Sequence, residues 1–286
     1  MHYATSLLIF FTLVASIALF ITLVIYMQKK RRVAQAQEAT FKDSYRSILQ
    51  KTPHYNNLSA TDREAIERSI LLFAYTKQFI GVGLEVTEEM KVIIGFYACL
   101  LLLHVEDAHC YENLERVIIY PTAVAIDNIS NNGGIYTKEK FVISGQSTSD
   151  TVVLIWHEAR REAYHLRHNS NVIVHEFAHE IDFLDGEIDG VPPIEKSKYH
   201  EWAQVLFGDY EKLTEVALKN RDWGRYKLLG AYAASNEAEF FAVVTERFFE
   251  SPHALKREFP ELYNELKSFY NLDTVTLVKT APLHKV

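Results

Sequence analysis

Two cysteines in 286 residues, Cys99 and Cys110, are too few to build a disulfide framework. Cys99 lies in the apolar stretch Tyr97 to Leu103, which predicts a buried free thiol. Basic residues are outnumbered, 30 Lys and Arg against 37 Asp and Glu, so the net charge is −7 and the pI is near 6.0. That balance speaks against a nucleic-acid-binding surface. No internal repeat or low-complexity tract is evident, which argues against a solenoid or a disordered array.

Charge is missing altogether from the N-terminal segment. From Ala4 to Met27 the chain is apolar apart from Thr and Ser, and no Asp, Glu, Lys or Arg precedes Lys29. As a helix this stretch spans about 36 Å, enough to cross a bilayer. A secretory signal carries its basic residues before a shorter apolar core. Here they follow it, as Lys29-Lys30-Arg31-Arg32. Positive charge favours the cytoplasmic side. The segment therefore predicts a single-pass anchor in the cytoplasmic membrane over residues 1–28, N-terminus outside. Residues 29–51 are expected to form a basic stalk, and residues 52–286 one cytoplasmic domain.

What is present is chemically pointed. His175-Glu176-Phe177-Ala178-His179 sits in an apolar setting of Val172, Ile173, Val174 and Ile181. On a helix, residues four apart share a face, so both imidazoles can point at one metal ion with Glu176 beside it. Two neutral imidazoles suit zinc, and a neighbouring carboxylate can take a proton from a water that the ion activates. A surface helix with two stray histidines would have polar neighbours. Asn169 or Ser170 is expected to cap the helix.

A catalytic zinc site needs a third protein ligand. Asp182 shares the helical face but lies a turn beyond, which suits ordering of a loop or of a ligand better than ligation. The second source is Ala238-Glu239-Phe240-Phe241-Ala242, where a helix offers Glu237, Glu239 and Glu246. A carboxylate flanked by Ala238, Phe240 and Phe241 is expected to be partly buried, which is costly without a cation. Glu239 is therefore the expected ligand. The region His157 to His168 is rich in charge and reads as a solvated helix or loop. The acids Asp185, Glu187 and Asp189 lack the spacing of a calcium loop.

Periodicity predicts helices from Ser59 to about Gln78 and from Glu88 to Leu103, with helix starts at Ser251-Pro252 and before Pro260. Strands are expected at Arg116 to Tyr120, around Val124 to Ile126, over Ile135 to Ser144 after a turn at Asn132-Gly133 or Gly133-Gly134, and at Val152 to Trp156. Strands in the first half and helices in the second argue for an α+β domain.

These segments together resemble the Mlc titration factor A family, bacterial gluzincin-type zinc peptidases. The likeness is carried by Gly83-Leu84-Glu85-Val86-Thr87, Val117-Ile118-Ile119-Tyr120-Pro121, Val152-Val153-Leu154-Ile155-Trp156, Asn171 through His179, Gly190-Val191-Pro192 and Ala238 through Ala242. It covers roughly residues 55 to 272. It departs at Gly145-Gln146-Ser147, where the family pattern leads one to expect a tryptophan. The resemblance implies an α+β gluzincin-like domain with a small mixed sheet and a largely helical C-terminal half. It implies one zinc ion held by His175, His179 and Glu239, with Glu176 as general base. Tyr232, seven residues before the third ligand, would stand near the reacting carbonyl. The expected function is a membrane-anchored zinc peptidase acting on a peptide or protein substrate. The alternative is a binding protein that sequesters a transcriptional regulator at the membrane, since the family name records a repressor-titrating role in sugar-uptake control. A pure binding module would gain nothing from Glu176.

Overall fold

The computed structural model describes residues 2–105, 110–122, 125–132, 135–142, 150–165 and 170–278. The expected tryptophan position at 145–147, the turn at 133–134, Asn169 and His168 lie outside these residues.

Helix α1 (His2–Glu38) opens the chain. It is the one described helix long and apolar enough to cross a membrane. Phe10, Phe11, Ile17, Leu19 and Phe20 are all exposed. Its few hydroxyls turn inward on their own helix: Thr12 donates to the Ile9 carbonyl at 2.8 Å, Ser16 to Thr12 at 2.7 Å and Thr22 to Ala18 at 2.9 Å. That is the satisfaction a polar group needs where no water reaches it. The segment after Arg32 does not stand clear of the domain. Ala36 is buried near the end of α1, and so are Phe41 and, in α2 (Asp43–Leu49), Leu49. Arg46 of α2 grips Glu67 with two parallel bonds of 2.9 and 2.8 Å.

After α3 (Pro53–Asn57), α4 (Ala60–Thr76) begins where Ser59 caps the Asp62 amide at 3.0 Å. It packs on α5 (Glu88–Leu101), which is buried on nearly every side from Val92 to Leu101, as its unbroken apolar run requires. Between them lies β1 (Gln78–Gly81), a strand of four residues that the helix-like pattern up to Gln78 conceals. β1 pairs with β2 (Arg116–Tyr120), and β2 with β5 (Thr151–Ile155), all parallel in the order β1-β2-β5. Val117 stands opposite Phe79 on one side and Val152 on the other. The runs Val117-Ile118-Ile119 and Val152-Val153-Leu154 are the near-continuous apolar strands of a parallel sheet.

The small mixed sheet is therefore corrected to two separate sheets. The second is the antiparallel pair β3 (Ala125–Asn132) and β4 (Ile135–Val142), which runs in register from Ala125 opposite Val142 to Asn132 opposite Ile135. The described structure is predominantly helical, with the expected helices α4 and α5 ahead of β2 and a largely helical second half. Parallel strands need long crossovers: the return from β1 to β2 runs through α5, and that from β2 to β5 runs past β3 and β4. From β5 the chain passes into α6 (Trp156–Tyr164), α7 (Val172–Asp182), α8 (Tyr199–Lys219), α9 (Glu237–Glu250), α10 (Pro252–Glu258) and α11 (Pro260–Tyr270). The apolar face of α7, with Ile173, Val174, Phe177, Ala178 and Ile181 fully buried, rests on α5 and β5. Phe177 meets Tyr111 and Phe73 edge-on, at 4.9 and 5.7 Å between ring centres. Each such ring contributes roughly 1.5–3 kcal/mol by burial. The opposite face of α7 is left for α9.

Candidate metal centre

Asn171 starts α7. Its Oδ1 accepts from the amides of Ile173 (3.2 Å) and Val174 (3.3 Å), so it supplies the cap that was expected of Asn169 or Ser170. Ser170 donates to Glu162 instead, at 2.9 Å. Asn171 also fastens α7 to α9. Its backbone amide donates to Glu246 at 2.6 Å, and its Nδ2 to Glu250 at 2.7 Å. Glu162, from α6, accepts from the Val172 amide at 2.8 Å. Glu246 and Glu162 thus meet the amide end of one helix, where the backbone dipole favours negative charge, while burial raises the pKa of Glu250, on the Asn171 side chain, to about 8.

One turn further on, His175 and His179 lie side by side with ring centres 5.1 Å apart. Asn236 caps α9 by accepting from the Glu239 amide at 2.8 Å, which sets Glu239 in the first turn. Its Oε2 stands 3.1 Å from His175 Nε2 and 3.5 Å from His179 Nε2. One ligand atom from each of the three residues falls within 4.8 Å of the others. His175 Nδ1 faces Glu246 Oε2 at 3.9 Å.

This donor set fits a divalent cation such as zinc. A hydrogen on His175 Nδ1, facing Glu246, leaves the Nε2 lone pair aimed at a carboxylate oxygen. Lone pair against lone pair is unfavourable until a positive charge lies between them. With a proton as that charge, burial opposes the imidazolium, but the hydrogen bonds to Glu239 and Glu246 outweigh it and raise the His175 pKa. A metal ion at the same point takes the proton's place.

Glu176 is 5 % exposed. Burial raises its pKa, against the pull of both histidines. Tyr232 sits on a short 3-10 turn (Tyr232–Ala234), more than half exposed, its ring 5.9 Å from that of His175. Its pKa is pushed up first by burial and then by Glu239. The five residues expected from the sequence therefore gather in one place.

Asp182 stays apart from this group. It is fully buried, and its Oδ2 accepts from the Gly190 amide at 2.9 Å. Burial lifts its pKa to about 6 despite that bond. Gly190 takes φ +78°, and a Cβ there would stand 2.5 Å from the Glu237 carbonyl oxygen. Asp182 so holds the loop after α7 against the start of α9.

The sequence reading gave Glu246 no role and did not single out Glu162 or Glu250. Their signal was present: 239, 246 and 250 are seven and four residues apart, one face of a helix. The charged stretch from His157 forms α6, with His157 exposed but Glu162 and Ala163 buried. It is docked on α5 through Arg160 and Tyr164, which reach Glu89 at 3.2 and 2.7 Å.

Residues 26–271 match the glucose-regulated metallo-peptidase M90 family. An uncharacterized protein of Synechocystis sp. is 32% identical over 228 residues, which cover 78% of this chain and 81% of that protein. The protein of Serratia proteamaculans named Mlc titration factor A is 29% identical over 224 residues, 76% of this chain and 83% of its own. A match over that much of the chain shows the family: this chain belongs to the glucose-regulated metallo-peptidase M90 family.

Proposed function

We propose that the chain is a membrane-anchored, zinc-dependent peptidase of the gluzincin type. The observation that carries this reading is the convergence of two imidazole nitrogens and one carboxylate oxygen within 4.8 Å, beside the buried Glu176. His175, His179 and Glu239 hold one zinc ion. When bound, such an ion supplies Lewis-acid polarisation of a peptide carbonyl and acidifies a water. Glu176 accepts the proton of the attacking water and passes it to the leaving amine, and burial raises its basicity. Tyr232, exposed beside His175, donates to the oxygen on which charge develops. The test is metal analysis of the purified full-length protein together with a peptide-library cleavage assay. Wild type without stoichiometric metal, or a Glu176→Gln variant of full activity, would remove the mechanism.

Residues 4–27 anchor the chain in the cytoplasmic membrane, and Lys29 to Arg32 hold the domain on the cytoplasmic side. Protease added to intact spheroplasts is then expected to spare the domain and to digest it after lysis. Digestion from outside would reverse the orientation.

A second reading rests on the name of the relatives. A relative named Mlc titration factor A points to Mlc as the kind of partner, and the family resemblance implies that this partner is a transcriptional regulator. Sequestration needs no proton transfer, so a Glu176→Gln protein that keeps its cellular effect supports sequestration, and one that loses it supports catalysis.

A further inference from the structure

Away from the metal centre, a cavity of about 410 Å³ opens where the end of α1 meets α4 and α5. Lys29 and Val33 of α1 line it with Leu72, Lys77, Cys99 and Cys110. Both cysteines of the chain thus face one space, close enough that each thiol shifts the acidity of the other. Cys99 is 3 % exposed, whereas Cys110 is half-buried and within reach of a small solute.

The ammonium beside them is unusual. Lys77 is 8 % exposed and donates to the carbonyls of Tyr111 and Leu114. Burial lowers its pKa, and Cys110 is the largest influence the other way. The two thiols are driven apart in acidity. Cys99 lowers the Cys110 pKa against burial, and Lys77 lowers it further. Burial raises that of Cys99. A thiol of lowered pKa that shares one cavity with a buried ammonium and a second thiol has the setting of an attacking and a resolving cysteine.

We infer that Cys110 and Cys99 form a redox-active dithiol that closes to a disulfide when a hydroperoxide enters this cavity. The Cys110 thiolate attacks the terminal peroxide oxygen, breaking the O–O bond to give a sulfenic acid, and the alkoxide or hydroxide released takes up a proton. Cys99 then attacks Cys110 Sγ as its own proton leaves, forming the S–S bond and breaking S–O, with water departing. Two thiols and one hydroperoxide become one disulfide, one alcohol (or water) and one water. The bond would tie the end of α5 to the turn that carries Tyr111, whose ring packs on Phe177 of α7. Any effect on peptide cleavage rests on the proposed function, whereas the thiol chemistry does not.

The test uses the reduced full-length protein in detergent, with hydrogen peroxide in one arm and cumene hydroperoxide in the other, followed by alkylation and peptide mass spectrometry. Loss of both alkylatable thiols to a Cys99–Cys110 disulfide within one chain, restored by dithiothreitol, is expected in at least one arm. The responsive arm tells whether the oxidant is soluble or apolar. Cys99→Ser is expected to stop at a Cys110 sulfenic acid that dimedone traps, and Cys110→Ser to leave Cys99 unreacted. The inference is overturned if both wild-type thiols stay alkylatable in both arms, if disulfides form only between chains, or if Cys99 is oxidised in Cys110→Ser as readily as in wild type.

Discussion

Helices α7 and α9 lie against each other, and each brings a stripe of polar groups to the contact. On α7 the stripe is Asn171, His175 and His179, in steps of four. On α9 it is Glu239, Glu246 and Glu250. Glu239 faces both histidines, Glu246 faces His175 and Asn171, and Glu250 faces Asn171, so the two stripes run antiparallel. One side supplies nitrogen and the other only oxygen. A pair of helices built solely for stability would fill this contact with apolar side chains, since buried charges seldom repay their desolvation. The difference teaches that the apolar back of α7 packs against α5 and β5, and that its front meets α9 through polar groups suited to chemistry.

The largest effect is expected from cutting the contact at its metal end. Glu239→Ala or His175→Ala leaves two protein ligands and should release zinc during dialysis against a mild chelator, measured by atomic emission. Zinc kept by Glu239→Ala but lost by Asp182→Ala would transfer the third-ligand role to Asp182. Next comes Glu176→Gln, which is expected to retain stoichiometric metal while cleavage falls by about 10²–10⁴-fold, the usual contribution of a general base.

The third test concerns the far end of α9, where the buried His54 donates from Nε2 to the Phe249 carbonyl at 3.0 Å. Burial lowers the His54 pKa from 6.5 to about 4. Between those values the unfolded chain binds a proton that the folded one refuses, so stability falls as pH falls through this window. The loss is roughly 3 kcal/mol. Thermal unfolding at pH 7 and pH 4.5 should show it, and His54→Gln should flatten the difference. The smallest effect is expected from Glu246→Gln, which keeps the bond to the Asn171 amide but weakens the charge behind His175. Zinc affinity should drop about 10–100-fold, as for other groups that orient a ligand, and an unchanged affinity would confine Glu246 to capping α7.

The same comparison explains what could be read in advance. The α7 stripe is local: His175, Glu176 and His179 are adjacent in sequence, and helical geometry alone brings the imidazoles together. Glu239 lies 60 residues or more away and was legible only because its apolar neighbours made its burial costly. Glu246 and Glu250 had the right spacing, but carboxylates on a helix usually face water, so nothing in the pattern told an inward acid from an outward one. The helices α4, α5, α10 and α11 announced themselves through caps, apolar runs and prolines. β1 did not, because four residues between two helices carry too little period to separate a strand from a helix end. The mixed sheet failed for a related reason: alternation marks strands but not which strands pair.

Helix α1 contains neither glycine nor proline from His2 to Glu38, and its last turns are packed on α4. It is a mast and not a leash. On the proposed anchoring, about 16 Å of rigid helix separates Met27 from Glu38. The metal centre then keeps a fixed distance from the anchor as the protein diffuses in the plane of the bilayer. Substrates would be sorted by altitude before they are sorted by sequence, since only segments that pass through a thin layer above the lipid could reach Glu176.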